Sequence, residues 1–412
     1  MSGTVHIIGA GLAGLSCAVR LADEGRRVVL YEAARMAGGR CRSYYDATLD
    51  LTIDNGNHLL LSGNMAARDY ARRIGAADAL VMPDECVFDF LDLRTKERWK
   101  LRPNGSRLPW WVFVNDRRVP GTKPADYLGA LGLLTAKGDT TIGEAMRCEG
   151  ALYDRLWGPV LLSALNTEPR ESSAVLAGAV LRETLAAGGD ACRPMVAKPG
   201  LGEAFVEPAL RTLAAKGAEV RFGARLRAID FDEDRATRLQ FGDAGVDIDA
   251  ADALIVAAPP WVTPELIPGL VAPDDFRSIA NAHFKIAPPP GQPMLVGLVG
   301  GLSEWLFAFD NRLSVTISGA DRLMDDARED LAQRIWAEVA AATGLPQALP
   351  QWQIVKEKRA TFAATPAQQK RRPRAQTRWR NLFLAGDWTA TGLPATIEGS
   401  IRSGYKAAEL VA

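Results

Sequence analysis

Thr4-Val5-His6-Ile7-Ile8-Gly9-Ala10-Gly11-Leu12-Ala13-Gly14 opens the chain, and Arg27-Val28-Val29-Leu30-Tyr31-Glu32 follows one helix later. Thr4 to Ile8 is a β-branched-rich run that reads as a buried parallel strand. Leu12, Leu15, Val19 and Ala22 then share one face of a helix, which Gly25 stops. Arg27 to Tyr31 reads as the second strand, with Glu32 and Ala33 at its end. Strand, helix and parallel strand make a complete βαβ unit.

The glycines decide what that unit is for. Gly9 permits the tight turn, Gly11 lets a pyrophosphate approach the backbone, and Gly14 allows close helix–strand packing. Ala10, Leu12 and Ala13 lie between them, so backbone N–H groups and the helix N-terminus face the phosphates. Glu32, 18 residues beyond Gly14, is an acceptor placed for a ribose diol. A carboxylate there disfavours a 2′-phosphate, which leaves FAD or NAD as the ligand. Gly38-Gly39-Arg40 adds a second glycine-rich turn with a cation. Near the far end, Gly386-Asp387 precedes Thr396-Ile397-Glu398-Gly399 at a predicted helix start. That second anchor suits a long cofactor: an acidic side chain for ribityl hydroxyls and helix N–H groups for the electron-rich edge of a flavin.

The remaining composition bounds the rest. A chain of 412 residues exceeds what one core organises, and 48% hydrophobic with 24% charged residues excludes wholesale disorder. Lys plus Arg (49) balances Asp plus Glu (49), which speaks against a nucleic-acid partner. Five cysteines without a CxxC argue against a disulfide framework, and three scattered histidines offer little for a metal centre. No secretory leader and no run of the ~18 apolar residues that span a bilayer are visible, so a cytoplasmic protein is expected.

Two interleaved domains are expected, an FAD-binding one from 1–62, 197–285 and 362–412 and a substrate-binding one from 63–196 and 286–361. The stretch from Gly63 to Pro199 mixes charged and apolar residues at helical spacing, around Met65 to Ile74 and Pro124 to Leu134, and reads as largely helical. Lys198-Pro199-Gly200-Leu201-Gly202 punctuates the return to the first domain. A helix to Lys216, kinked at Pro208, and strands at Glu219–Phe222, Leu226–Phe231 and Asp252–Ala258 follow. Strands near Met294–Val299, Trp305–Phe309 and Leu313–Ser318 and a helix over Arg328 to Ala342 read as the second domain again.

These segments resemble the FAD-dependent amine oxidase and phytoene desaturase superfamily, with its GGR element and its C-terminal GD…EG element. The resemblance implies a fold of class α/β, a Rossmann-like FAD-binding domain interleaved with a mixed α+β substrate-binding domain. It also places Leu226 at the adenine and Ala257-Ala258-Pro259-Pro260 as a turn over the cofactor. No cysteine follows Cys192, so the cysteine-linked flavin of some relatives is excluded and the FAD is expected to be non-covalent.

Three segments narrow the match. Asp54-Asn55-Gly56-Asn57-His58 lies where relatives bring backbone against the flavin. Leu156-Trp157-Gly158-Pro159 with Ala164-Leu165-Asn166-Thr167, and the string from Gly386 to Gly399, are similar to the hydroxysqualene dehydroxylases of hopanoid synthesis. Asn57 departs from that group, where Gln is expected. The resemblance implies reduction of the allylic alcohol hydroxysqualene to squalene, with FADH2 becoming FAD, and therefore a C30 isoprenoid substrate. It also suggests as a partner the enzyme that supplies hydroxysqualene. His58 is the expected proton donor, against the plainer reading of a histidine that shapes its turn. Asn166 is expected at the substrate hydroxyl, against a buried helix cap. Trp110 and Trp111, with Arg107, Arg117 and Arg118, suit either core packing or peripheral contact with the inner face of a membrane. Lys370-Arg371-Arg372-Pro373-Arg374 reads as a solvated loop, with contact to anionic lipid as the second reading. Competing functions are a desaturase or oxidase acting on a polyprenoid or an amine, and a non-catalytic prenyl-lipid-binding protein.

Overall fold

In the computed structural model, which describes residues 3–198 and 200–411, the opening βαβ unit seeds a five-stranded sheet. Its order is Glu219–Phe222, Arg27–Glu32, Thr4–Ile8, Ala253–Val256, Leu382–Leu384, and every neighbouring pair is parallel. Arg221, Tyr31, Ile8, Val256 and Leu384 stand in register across it. The loops that leave the carboxyl ends of five strands from three parts of the chain therefore meet along one edge.

Helix Leu12–Asp23 covers this sheet and is itself covered by the terminal helix Ile397–Val411. The two approach closely because Gly404 has no side chain: a Cβ there would lie 2.2 Å from Ser16 Oγ and 2.3 Å from the Ala13 carbonyl. The beginning and end of the sequence are thus one packed layer.

A seven-stranded sheet forms the second body, in the order Trp352–Phe362, Phe276–Phe284, Arg312–Ile317, Trp305–Phe309, Leu295–Val299, Phe88–Asp92, Arg98–Leu101. Leu331, Ile335, Trp336 and Val339 of helix Arg328–Thr343 cover one face. The other face, with Phe90, Trp305 and Phe307, joins the apolar cluster of the helical segments that carry Trp111, Leu133, Trp157 and Leu161.

Several expectations are corrected. The stretch from Gly63 is less helical than its spacing suggests, since Phe88–Asp92 and Arg98–Leu101 are sheet strands. Strand Phe276–Phe284 pairs with Arg312–Ile317 and Trp352–Phe362, so a boundary at 285 falls too late. Trp352–Phe362, eleven residues long and rich in Lys, Glu and Arg, also belongs to this sheet. Its charges hid its strand character, because they sit on an outer strand where solvent remains accessible. Pro208 sits in the first turn of Glu207–Ala215, directly after a π-helical turn over Gly202–Val206, so the helical run departs from regular α geometry immediately before the proline. Pro199, within the segment read as a domain boundary, lies outside the described residues.

Candidate active site

Each of the three glycines of the opening motif, Gly9, Gly11 and Gly14, has a separate reason to be one. Gly9 has φ +103°, and a Cβ on it would lie 2.8 Å from the Ala257 carbonyl. A Cβ on Gly14 would collide with the Gly9 carbonyl at 1.9 Å. A Cβ on Gly11 would meet nothing within 4 Å. Two glycines are therefore demanded by the protein's own packing, while the middle one borders open space at a helix N-terminus, the room a pyrophosphate needs.

The neighbouring turns converge on that space. Gly38, at φ +102°, donates its N–H to the Ala10 carbonyl at 2.8 Å, and Gly39 lies against Gly11. Glu32 is half-buried and accepts from the backbone N–H groups of Ala10 and Ala34, both at 2.8 Å. Its carboxylate is thereby fixed at the strand end, beside exposed Ala33. Leu12 and Ala13 are buried in the helix beneath. The Glu32 and Ala34 carbonyls accept from Ala224 and Gly223, which brings buried Leu226 to the same edge.

The far end of the chain closes the site. Arg40 donates to the Asp387 carboxylate at 2.6 Å and to the Ala360 carbonyl at 2.6 Å. Gly386 donates to Ser403 Oγ, and the Trp388 indole donates to the Ala258 carbonyl at 3.1 Å. Trp388 thus pins one turn to another. Thr396 Oγ1 accepts from Gly399 N–H and caps the terminal helix beside Ile397. Glu398 accepts from the N–H groups of Ala66 and Ala67, so it caps helix Met65–Arg73 rather than facing the ligand space.

Sequence reasoning missed Arg372, which is not a solvated loop residue. It is buried, donates to the Asp387 carbonyl at 2.9 Å and to Thr391 Oγ1 at 2.8 Å, and lies over the Phe362 ring. Burial pulls its guanidinium down to about 10, against the opposing influence of Asp387. It stiffens the Gly386–Asp387 turn from behind.

The segment Asp54 to His58 rests on a buried polar bed. Asn281 Oδ1 accepts from Asn57 N–H at 3.4 Å and from Thr316 Oγ1 at 2.8 Å, while Asn57 Nδ2 donates to Thr316 Oγ1 at 3.3 Å. A Cβ on Gly56 would lie 2.9 Å from Asn281 Nδ2, so a larger residue there would push on the side chain that holds the turn. His283 pairs with Ser314 at 2.8 Å, and Arg312 donates to the Thr52 carbonyl. Asn57 Oδ1 keeps no partner among the described residues. The signal was present in Ala280-Asn281-Ala282-His283 and Leu313-Ser314-Val315-Thr316, which alternate apolar and polar. Such alternation ordinarily marks a solvated face, but here both faces are covered.

The two expected catalytic residues fare differently. His58 is half-buried beside Arg40, and burial first, then the Arg40 charge, lower its imidazole to about 4. It is neutral near pH 7, so it is not a cationic acid there. Asn166 is buried at φ +49°, ending helix Gly158–Leu165. It donates to Thr361 Oγ1 at 2.9 Å and to the Arg277 carbonyl at 3.3 Å, and accepts from Gly319 N–H at 2.7 Å. Those bonds tie the helix to both strands beneath it and favour the buried cap over a place at a substrate hydroxyl.

A parallel sheet with a glycine-rich turn and a carboxylate fixed at the end of its second strand, joined to a second sheet and closed by its own C-terminal helix, is the architecture of a two-domain flavoprotein. The chain matches the family described as flavin containing amine oxidoreductase over residues 12–412. It is 57% identical to a hydroxysqualene dehydroxylase of Rhodopseudomonas palustris over 100% of this chain and 99% of that one. A hydroxysqualene dehydroxylase of Sinorhizobium fredii is 53% identical over 100% and 98%. Cyclohexylamine oxidase from Brevibacterium oxydans shares the fold at a TM-score of 0.69 and 16% identity, covering 100% and 99% of the two chains. The chain belongs to the flavin containing amine oxidoreductases and, within them, to the family of the hydroxysqualene dehydroxylases. Its cofactor is FAD.

Proposed function

We propose that this protein is an FAD-dependent oxidoreductase that reduces hydroxysqualene to squalene. The observation that carries the reading is full-length identity of 57% and 53% to two hydroxysqualene dehydroxylases. The site supports it: the open space at Gly11, fixed Glu32 and the Arg40–Asp387 pair fit the cofactor's pyrophosphate, ribose and ribityl chain in turn. Gly9, Ala10, Leu12, Ala13, Gly14, Ala33, Gly38, Gly39, Leu226, Ala258, Gly386, Thr396 and Ile397 would complete the cradle, with Gly56 and Asn57 toward the ring. Burial raises the Cys17 and Cys41 thiols well above the ordinary range, which disfavours a covalent link through either.

The chemistry supplied when reduced FAD is bound is hydride delivery to the allylic carbon that loses its hydroxyl. The chain's own part is to hold an apolar C30 molecule against that site and keep water out. The apolar sheet face with Phe90, Trp305 and Phe307 and the helical segments over it supply such a wall. Asn57, seated on Asn281 and Thr316, presents its unpartnered Oδ1 from a fixed turn. Neutral His58 contributes hydrogen bonding rather than a stored proton at pH 7. A substrate of this kind resides in a bilayer, so the reading includes peripheral contact with the inner face of the membrane, and an enzyme there that delivers hydroxysqualene.

Anaerobic single turnover tests it. Chemically reduced protein mixed with hydroxysqualene should reoxidise stoichiometrically and yield squalene. Flavin that stays reduced, with oxidised protein instead bleached by squalene or a carotenoid precursor, would make the protein a desaturase.

A further inference from the structure

Five of the eleven large apolar side chains left exposed among the described residues lie within one short stretch. They are Leu108 (74% exposed), Trp110 (45%), Phe113 (72%), Leu128 (63%) and Leu131 (53%). They sit on two adjoining pieces, a 3-10 turn over Trp110–Phe113 and another over Pro124–Ala130 that runs into helix Leu131–Thr135. Trp111 and Tyr127 join the pieces edge to face at 5.2 Å. Arg118 ties them further, donating to the Val112 carbonyl at 2.9 Å and the Thr122 carbonyl at 3.0 Å. The outward side chains therefore stand on a braced platform rather than a free loop.

We propose that this platform is the membrane-docking surface of the protein, and that it takes anionic phospholipid. Charge decides between lipid and a second copy of the chain. The protein as a whole carries a net charge of 0, yet Arg102 to Lys137 contains six basic and two acidic side chains. Such a surplus around an apolar patch matches an anionic bilayer and repels its own duplicate. The Arg117 guanidinium lies over the Trp110 ring at 4.9 Å, an indole and a cation held together as at a headgroup boundary. Among the described residues no helix is long and apolar enough to cross a membrane, so the contact is interfacial. Sequence reasoning pointed to Trp110 and Trp111 together. Trp111 is buried, and Leu108, Phe113, Leu128 and Leu131 take its place at the surface.

The platform is also anchored to the core. Trp111, Val119 and Leu133 on its underside share one buried apolar cluster with Trp157, Leu161 and Phe307 of the proposed substrate wall. Collection of substrate at this surface rests on the hydroxysqualene reading; the lipid contact itself does not.

The test floats the FAD-loaded protein with vesicles of phosphatidylcholine alone or with about a third phosphatidylglycerol. The protein should rise with anionic vesicles and about tenfold less with neutral ones. The variant Phe113→Ser/Leu128→Ser should lose about tenfold or more of that binding at unchanged flavin content. It should turn over detergent-dispersed hydroxysqualene like the parent and vesicle-embedded hydroxysqualene more slowly. A parent that stays at the bottom with both vesicles, or a variant that floats as well as the parent, overturns the proposal. So does sedimentation showing a dimer that the substitutions dissolve. Flotation as expected with no turnover of detergent-dispersed substrate would sink the hydroxysqualene reading and leave the docking surface standing.

Discussion

Glu304 carries a pH dependence that can be worked out beforehand. It precedes strand Trp305–Phe309, and its carboxylate accepts from Ser318 N–H at 2.8 Å. Burial pushes its pKa up to about 7 from 4.5, against that hydrogen bond and the more distant Arg322. The folded state therefore binds a proton that the unfolded chain has already released. Stability from this group is complete below the unfolded value and declines as pH rises from about 4.5 through about 7. The shift corresponds to a ceiling of roughly 3 kcal/mol, and partial exposure of the side chain reduces that to about 1–2 kcal/mol. Glu304→Gln keeps an acceptor for Ser318 and removes the titration. The variant should match the parent at pH 5 and exceed it at pH 8. For a chain of 412 residues the gap is about 1–3 °C in melting temperature. Melting both proteins in parallel from pH 5 to 8 cancels the other titrating groups. A difference that stays flat, or that grows toward acid, would refute the reasoning.

Other substitutions separate ligand from packing. Gly11→Val should fold, since a Cβ meets nothing there, but purify with little flavin; Gly14→Val should fail to fold, because its Cβ strikes the Gly9 carbonyl. Circular dichroism with the flavin-to-protein absorbance ratio reads both, and a yellow Gly11→Val protein would contradict the assignment. Asn166→Ala strands Gly319 N–H and Thr361 and should cost about 1–3 kcal/mol in denaturant unfolding with kcat retained. A fall in kcat without lost stability would restore Asn166 to the substrate. His58→Gln should leave the pH profile of turnover unchanged between pH 6 and 8, because the imidazole titrates at about 4. Loss of a limb near pH 6.5 would reinstate it as the acid.

The nucleotide half was legible because its constraints are local. A glycine that must hold positive φ, a glycine without room for Cβ and an acid at a strand end are each a demand on one residue type at one spacing. Residues from Thr4 to Arg40 carry that reading unaided. The C-terminal anchor was readable too, since Gly386-Asp387 and Thr396 repeat the same logic. Strand Trp352–Phe362 was not, because its alternating charges describe an outer strand and a solvated helix equally well. The split between sheets at Phe276 was hidden for a related reason: which sheet a strand joins depends on partners far along the chain.

By itself, then, the sequence determined the cofactor class, the parallel sheet that presents it and, through its longer motifs, the family. Tertiary structure alone decided what the polar residues do. Asn166 becomes a tether, Arg372 a buried brace and His58 a neutral imidazole only when strands and turns distant in sequence surround them. Protonation state and hydrogen-bond satisfaction are properties of an environment, and residue order does not specify the environment until the chain has folded.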